Sequence, residues 1–153
     1  FYTDSYPLSA LYRLDAALDR ALGRTVWLRS GGYLVIEPTE ALTVIDVNTG
    51  KYDGSKNVEE TFALINREAA QETARQIRLR NLSGIILIDF INQKDRQAAK
   101  ELLEELRSLC KDDPVPVRVV DITALGLVEL TRKKVKGTLA EQLKGLKPTG
   151  VQR

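Results

Sequence analysis

ALTVIDVN at residues 41–48 and IILIDFI at residues 85–91 are two apolar runs of strand length, and each carries an aspartate near its carboxyl end, Asp46 and Asp89. In the first run, the two-residue strand period puts Val44, Asp46 and Asn48 on one face and Ile45 and Val47 on the other. The second run is continuously apolar up to its aspartate, which reads as a strand buried within a sheet. Between the two, residues 57–80 carry Phe62, Ile65, Ala69, Thr73 and Ile77 at helical spacing. Asn57 is placed to cap that helix, with Glu59 and Glu60 in its first turn, where acidic groups favour the helix dipole. Strand, helix and strand in this order predict a crossover unit within a partly parallel sheet.

The flanking segments extend the pattern. Leu8, Leu11, Leu14, Leu18 and Leu22 predict an N-terminal helix stopped at Gly23. Residues 25–29 and 33–37 read as strands joined through Ser30-Gly31-Gly32, a hairpin. Residues 95–109 form a second amphipathic helical stretch, ended by Pro114 and Pro116. Strands are predicted over 117–122 and 127–133, with Gly126 between them, and the polar residues from Gly137 onward read as a tail. The fold class is therefore α/β: a mixed, partly parallel sheet with crossover helices, an N-terminal helix and a β-hairpin.

Composition narrows the chemistry. The chain has 153 residues, 43% hydrophobic and 29% charged, which describes one globular domain. It contains no histidine, which excludes histidine-based triads, histidine general bases and His-rich metal sites. One cysteine, Cys110, excludes an internal disulfide and suits a cytoplasmic setting. No apolar run approaches the roughly 20 residues of a membrane helix. Chemistry must come from carboxylates, amides, hydroxyls, Lys, Arg or a hard cation.

Asp46 and Asp89 meet that requirement. A charged group in an apolar strand is costly unless it is paired or binds a cation. Open α/β sheets build their sites at the carboxyl ends of strands. Two carboxylates and the Asn48 amide oxygen there form a hard-oxygen set suited to Mg²⁺, with Mn²⁺ as a substitute. Either aspartate taken alone is better explained as a loop cap or as the partner of a nearby Arg; two after neighbouring strands, with Asn48 in phase, favour a metal site. Asp121 reads as a turn residue and Glu129 as part of a solvated face. Arg75, Arg78 and Arg80 close the long helix, and Arg132, Lys133, Lys134 and Lys136 follow the last strand. Together they would form a positive rim for the phosphates of a polyanion bound across the metal. Tyr52, in the loop after Asn48, is the aromatic best placed to meet a base.

SGGYLVIEPTEALTVIDVNTG (30–50), NVEETFALINREAAQETARQIRLRNLSGIILIDFI (57–91) and LGLVELTRKK (125–134) together resemble the ribonuclease E/G family over nearly the whole chain. The resemblance implies the deoxyribonuclease-like catalytic subdomain of an endoribonuclease, one that cuts single-stranded RNA with Mg²⁺ and leaves a 5′-phosphate on the downstream product. It implies that Asp46 and Asp89 hold the metal and that Asn48 supports them. It also implies a missing upstream domain, so residues 1–24 are expected to link to it, 25–136 to form the catalytic subdomain and 137–153 to be a tail or linker. The full-length protein would be a homo-oligomer. Two departures stand out. Asn92 replaces a second acidic residue of the family's IDFIDM pattern, and no cysteine follows Lys134 where relatives carry a pair.

Two other readings compete. A non-catalytic RNA-binding or assembly module of the same family would bind RNA without needing Mg²⁺. A phospho-accepting signalling domain would also place an aspartate after an apolar strand, but it needs an acidic pair after its first strand, and residues 33–38 have none.

Overall fold

The computed structural model describes residues 2–51, 58–93 and 95–145. The predicted cap Asn57 and the loop residue Tyr52 lie outside these. In chain order the elements are α1 (Leu8–Leu11), α2 (Leu14–Leu22), β1 (Thr25–Trp27), β2 (Tyr33–Pro38), β3 (Leu42–Asn48), α3 (Val58–Leu79), β4 (Gly84–Asp89), α4 (Arg96–Cys110), β5 (Val117–Ile122), β6 (Val128–Arg132) and α5 (Leu139–Gly145).

The six strands form one sheet in the order β1-β2-β3-β4-β6-β5. β3 and β4 pair in parallel; the other neighbours are antiparallel. β6 runs antiparallel to both β4 and β5, so β3, β4 and β5 all point the same way and advance in one direction across the sheet. Right-handed crossovers then carry α3 and α4 over the same face. Leu34, Ile36, Ile45, Val47, Ile86, Ile88, Val128 and Leu130 point into that face and pack with Ile65, Ala69 and Ile77 of α3 and Leu103 and Leu106 of α4. At roughly 25 cal/mol per Å² of buried apolar area, this layer is the main source of stability.

The opposite face of the sheet is open. The alternate residues Tyr33, Val35, Val44, Asp46, Asn48, Leu87 and Glu129 are only half-buried, and Ile85 is 49% exposed. This corrects the expectation that β4 is buried on both sides. Its continuous apolar run reflects its central place between β3 and β6, not two covered faces.

Two further expectations change. The N-terminal helix breaks at Arg13, which has left-handed backbone angles (φ 49°, ψ 47°). α1 buries none of its residues and α2 only Ala21, so little packing holds them in line. The segment expected to be a tail from Gly137 is partly helical and docked. Leu139 N–H donates to the Arg80 carbonyl (2.8 Å), and the Asn81 amide donates to the carbonyls of Lys136 (3.2 Å) and Gly137 (2.9 Å). No helix among the described residues is long and apolar enough to cross a membrane.

Candidate active site

Asp46 and Asp89 are register partners on the parallel strands β3 and β4. Ile45, Val47, Ile88 and Phe90 turn into the core, so both aspartates stand on the open face. Neighbouring strands lie about 4.8 Å apart, which puts the two carboxylates side by side. Asn48, two residues beyond Asp46, donates from Nδ2 to Asp46 Oδ2 at 2.9 Å. The strand period places this amide on the same face, and its hydrogen bond restricts the rotation of the Asp46 carboxylate.

Glycines let the hairpin turn close against this corner. Gly50 has φ +67°, and a Cβ there would stand 2.2 Å from the Gly31 carbonyl oxygen. A Cβ at Gly32 would stand 2.9 Å from both the Asn48 carbonyl oxygen and Ile65 Cγ2. Only residues without a side chain allow the two backbones to approach this closely.

The end of β4 is held from the helix side. Asn66, 1% exposed on α3, donates from Nδ2 to the Ile91 carbonyl (2.7 Å) and accepts from Ile91 N–H at Oδ1 (2.9 Å). The clamp fixes the backbone two residues past Asp89. Asn66 is not among the residues expected to serve the site, although an amide among the apolar positions of an amphipathic helix is a visible signal.

The donor set fits a hard divalent cation. Among the described residues, no three His, Cys, Asp or Glu side chains cluster closely enough to hold an ion. The described residues offer two carboxylates and a neighbouring amide that could hold such an ion. Mg²⁺ is commonly bound in this sparse way.

The basic residues expected around the site are placed elsewhere. Arg132 is 4% exposed: its guanidinium pairs with Asp113 (2.9 and 3.0 Å) and donates to Asn81 Oδ1 (2.7 Å) and the Leu82 carbonyl (3.1 Å). Arg80 is buried, donates from Nε to Gln76 Oε1 (2.6 Å) and leaves Nη2 without a partner. Burial draws its guanidinium below the ordinary arginine value, with the nearby Glu72 carboxylate opposing that shift. Arg75 is tied to Glu72 (2.6 Å), and Arg78 donates to the Leu109 carbonyl (3.2 Å). These three arginines belong to or follow α3, so the sheet stands between them and the aspartates. Lys133 and Lys134 are exposed, but Arg132 pairs with Gly84 at the start of β4. They therefore begin about 17 Å of strand away from Asp89, at roughly 3.3 Å per residue. Described cations beside the hairpin and the end of β3 include Arg29, in the hairpin turn, and Lys51, just past β3; both are exposed.

Comparison with known proteins places the same residues in a family. A family model, Ribonuclease E/G family, matches residues 1–135. Ribonuclease G of Escherichia coli K12 is 43% identical over 148 residues, covering 97% of this chain and 30% of the relative. Ribonuclease E of a Nostoc species is 46% identical over 133 residues, covering 87% of this chain and 19% of the relative. Ribonuclease G of Haemophilus influenzae is 42% identical over 142 residues, covering 93% and 29%. The chain thus spans less than a third of the length of these curated relatives. The family match runs through β3, α3, β4 and β6 and includes both aspartates: the chain belongs to the Ribonuclease E/G family.

Proposed function

We propose that this chain carries the catalytic centre of a metal-dependent endoribonuclease that hydrolyses phosphodiester bonds in single-stranded RNA. The observation that carries the reading is the pairing of Asp46 with Asp89 in register on the open face, with Asn48 bonded to Asp46. The names of the relatives, Ribonuclease G and Ribonuclease E, support the substrate class.

Asp46 and Asp89 would hold Mg²⁺, with Mn²⁺ able to replace it. A bound cation of this kind supplies Lewis-acid charge at phosphoryl oxygens and activates water for attack. The chain's own contribution is positional. β3 and β4 fix the two carboxylates on a rigid sheet, Asn48 orients one of them, and the Asn66 clamp anchors the backbone beyond the other. The open face gives an extended single strand access that a deep pocket would deny.

The test is titration of the 153-residue chain with Mg²⁺ and Mn²⁺ by calorimetry, alongside Asp46→Asn and Asp89→Asn. Each substitution should remove metal binding and lower RNA cleavage at least a hundredfold, or about 2.7 kcal/mol at 1.36 kcal/mol per decade, while leaving the melting temperature close to wild type. Full cleavage by either variant would refute this mechanism. RNA binding by the wild type that needs no metal and leads to no cleavage would favour a binding module instead.

A further inference from the structure

The hairpin edge of the open face carries an aromatic pair that neither the core nor the carboxylate centre uses. Trp27 is 69% exposed, although it is the largest apolar side chain in the protein. Its ring lies against Tyr33, with centroids 5.1 Å apart and planes tilted by 53°. Trp27 pairs with Tyr33 across β1 and β2, and Tyr33 pairs with Asn48 across β2 and β3. Trp27, Tyr33 and Asn48 therefore form one row across the sheet, next to the row that contains Asp46 and Asp89. At about 4.8 Å per strand, Tyr33 is one strand from Asn48 and Trp27 is two. Trp27 also borders a groove of about 550 Å³ behind the sheet edge, lined in part by Arg20 and Arg75.

We propose that Trp27 and Tyr33 form a stacking platform for a base of the RNA strand next to the scissile position, making them substrate-positioning residues. This rests on the reading of Asp46 and Asp89 as the cleavage centre and adds a subsite to it. An exposed aromatic surface gains by covering itself with a base, since every base offers a π-face, whatever its identity. The platform therefore holds the strand without selecting its sequence. Arg20 lies in the groove where an adjoining phosphate would round the β1 edge, and its charge suits a polyanion. The row geometry sets the direction of the strand: across the sheet from the aspartates toward β1.

Trp27 is the sole tryptophan, so its fluorescence reports on this surface alone. The experiment titrates the chain with a single-stranded RNA decamer in EDTA, where metal binding and cleavage play no part. Saturable quenching of Trp27 is expected. By anisotropy of a labelled decamer, Trp27→Ala should weaken binding between about fivefold and a hundredfold, the range of one base–aromatic stack. Trp27→Phe, which retains a ring, should recover most of the loss. A scan of decamers with a single abasic residue should find a position that weakens wild type by a similar factor and leaves Trp27→Ala unaffected. A purely structural role would not produce that loss of sensitivity.

Absence of quenching, or an abasic profile identical in wild type and Trp27→Ala, overturns the platform. If Asp46→Asn and Asp89→Asn still abolish metal binding and cleavage in that case, the catalytic reading stands alone. If quenching and the abasic signature appear while those variants cleave normally, the platform stands and the catalytic assignment falls.

Discussion

Asn66 grips the backbone of Ile91 with both halves of its amide, donating at 2.7 Å and accepting at 2.9 Å. The contact joins α3 to the segment that leaves β4 just after Asp89. It is a side-chain bridge from the covered layer to the end of the strand bearing the second aspartate.

Replacing Asn66 with alanine leaves both Ile91 groups without their partner at a part-buried position. A buried polar group left unsatisfied costs about 1–3 kcal/mol, so a melt should show a loss of that size. If the clamp also positions Asp89, cleavage at saturating metal should fall by more than the unfolded fraction explains, while Mg²⁺ affinity weakens. Asn66→Asp keeps an acceptor for Ile91 N–H but sets a buried carboxylate oxygen against the Ile91 carbonyl, and should be destabilised at least as much as the alanine variant. A melt and a metal titration on the two variants decide this; unchanged Mg²⁺ affinity in the alanine variant would confine Asn66 to stability.

The Arg132–Asp113 pair makes a prediction about acid. Its side chains are 3% and 2% exposed. Burial pushes the Asp113 carboxyl up, but hydrogen bonds from Arg132 and from Val115 N–H, with the positive charges of Arg132 and Arg78, outweigh burial and hold it below the ordinary carboxylate range. A carboxyl whose folded value is depressed contributes stability that is full above its unfolded value, near pH 4, and is lost as pH falls through the folded value. Asp113→Asn should therefore be less stable than wild type at pH 7, and the difference should shrink steadily below about pH 4. Breaking such a pair typically costs about 3–5 kcal/mol. Denaturant melts from pH 7 to pH 2.5 check this; a gap that stays constant with pH would show that the charge of Asp113 is not what stabilises the fold.

Much of this was legible in the sequence. β3, β4, α3 and α4 follow from apolar periodicity, and the shared face of Asp46 and Asn48 follows from the strand period. What escaped depends on strand order. The open face arises because β3, β4 and β5 advance in one direction, so both crossover helices cover the same side, and no local pattern states that order. The placement of Lys133 and Lys134 escaped for a related reason: β6 inserts antiparallel beside β4 and carries its carboxyl end away from Asp89. Arg132 reads as part of a basic run, yet its side chain turns inward to meet Asp113, nineteen residues earlier in the chain. Asn66 and Trp27 were visible as exceptions, an amide on an apolar helix face and a tryptophan in a short strand, but their partners were not.

Strand order also decides which cations could meet an RNA strand laid across the aspartates. Lys133 and Lys134 start about 17 Å from Asp89 along β4, well beyond a Debye length of about 8 Å at physiological salt. Arg29 and Lys51 stand at the same end of the sheet as the carboxylates. Each phosphate contact on single-stranded nucleic acid contributes about 0.7 to the slope of log affinity against log salt. Arg29→Ala and Lys51→Ala should each reduce the magnitude of that slope by up to about 0.7 and weaken binding of a short RNA at 0.15 M salt severalfold. The double substitution of Lys133 and Lys134 by alanine should change both quantities far less for an oligonucleotide too short to span the sheet. With an RNA long enough to reach the far end, the double variant should regain an effect, because distance from Asp89 then ceases to matter. Anisotropy titrations at four or five salt concentrations, with a short and a long RNA, separate these cases. A short RNA whose slope depends on Lys133 and Lys134 but not on Arg29 or Lys51 would mean that the strand crosses the sheet toward β6, away from the hairpin edge.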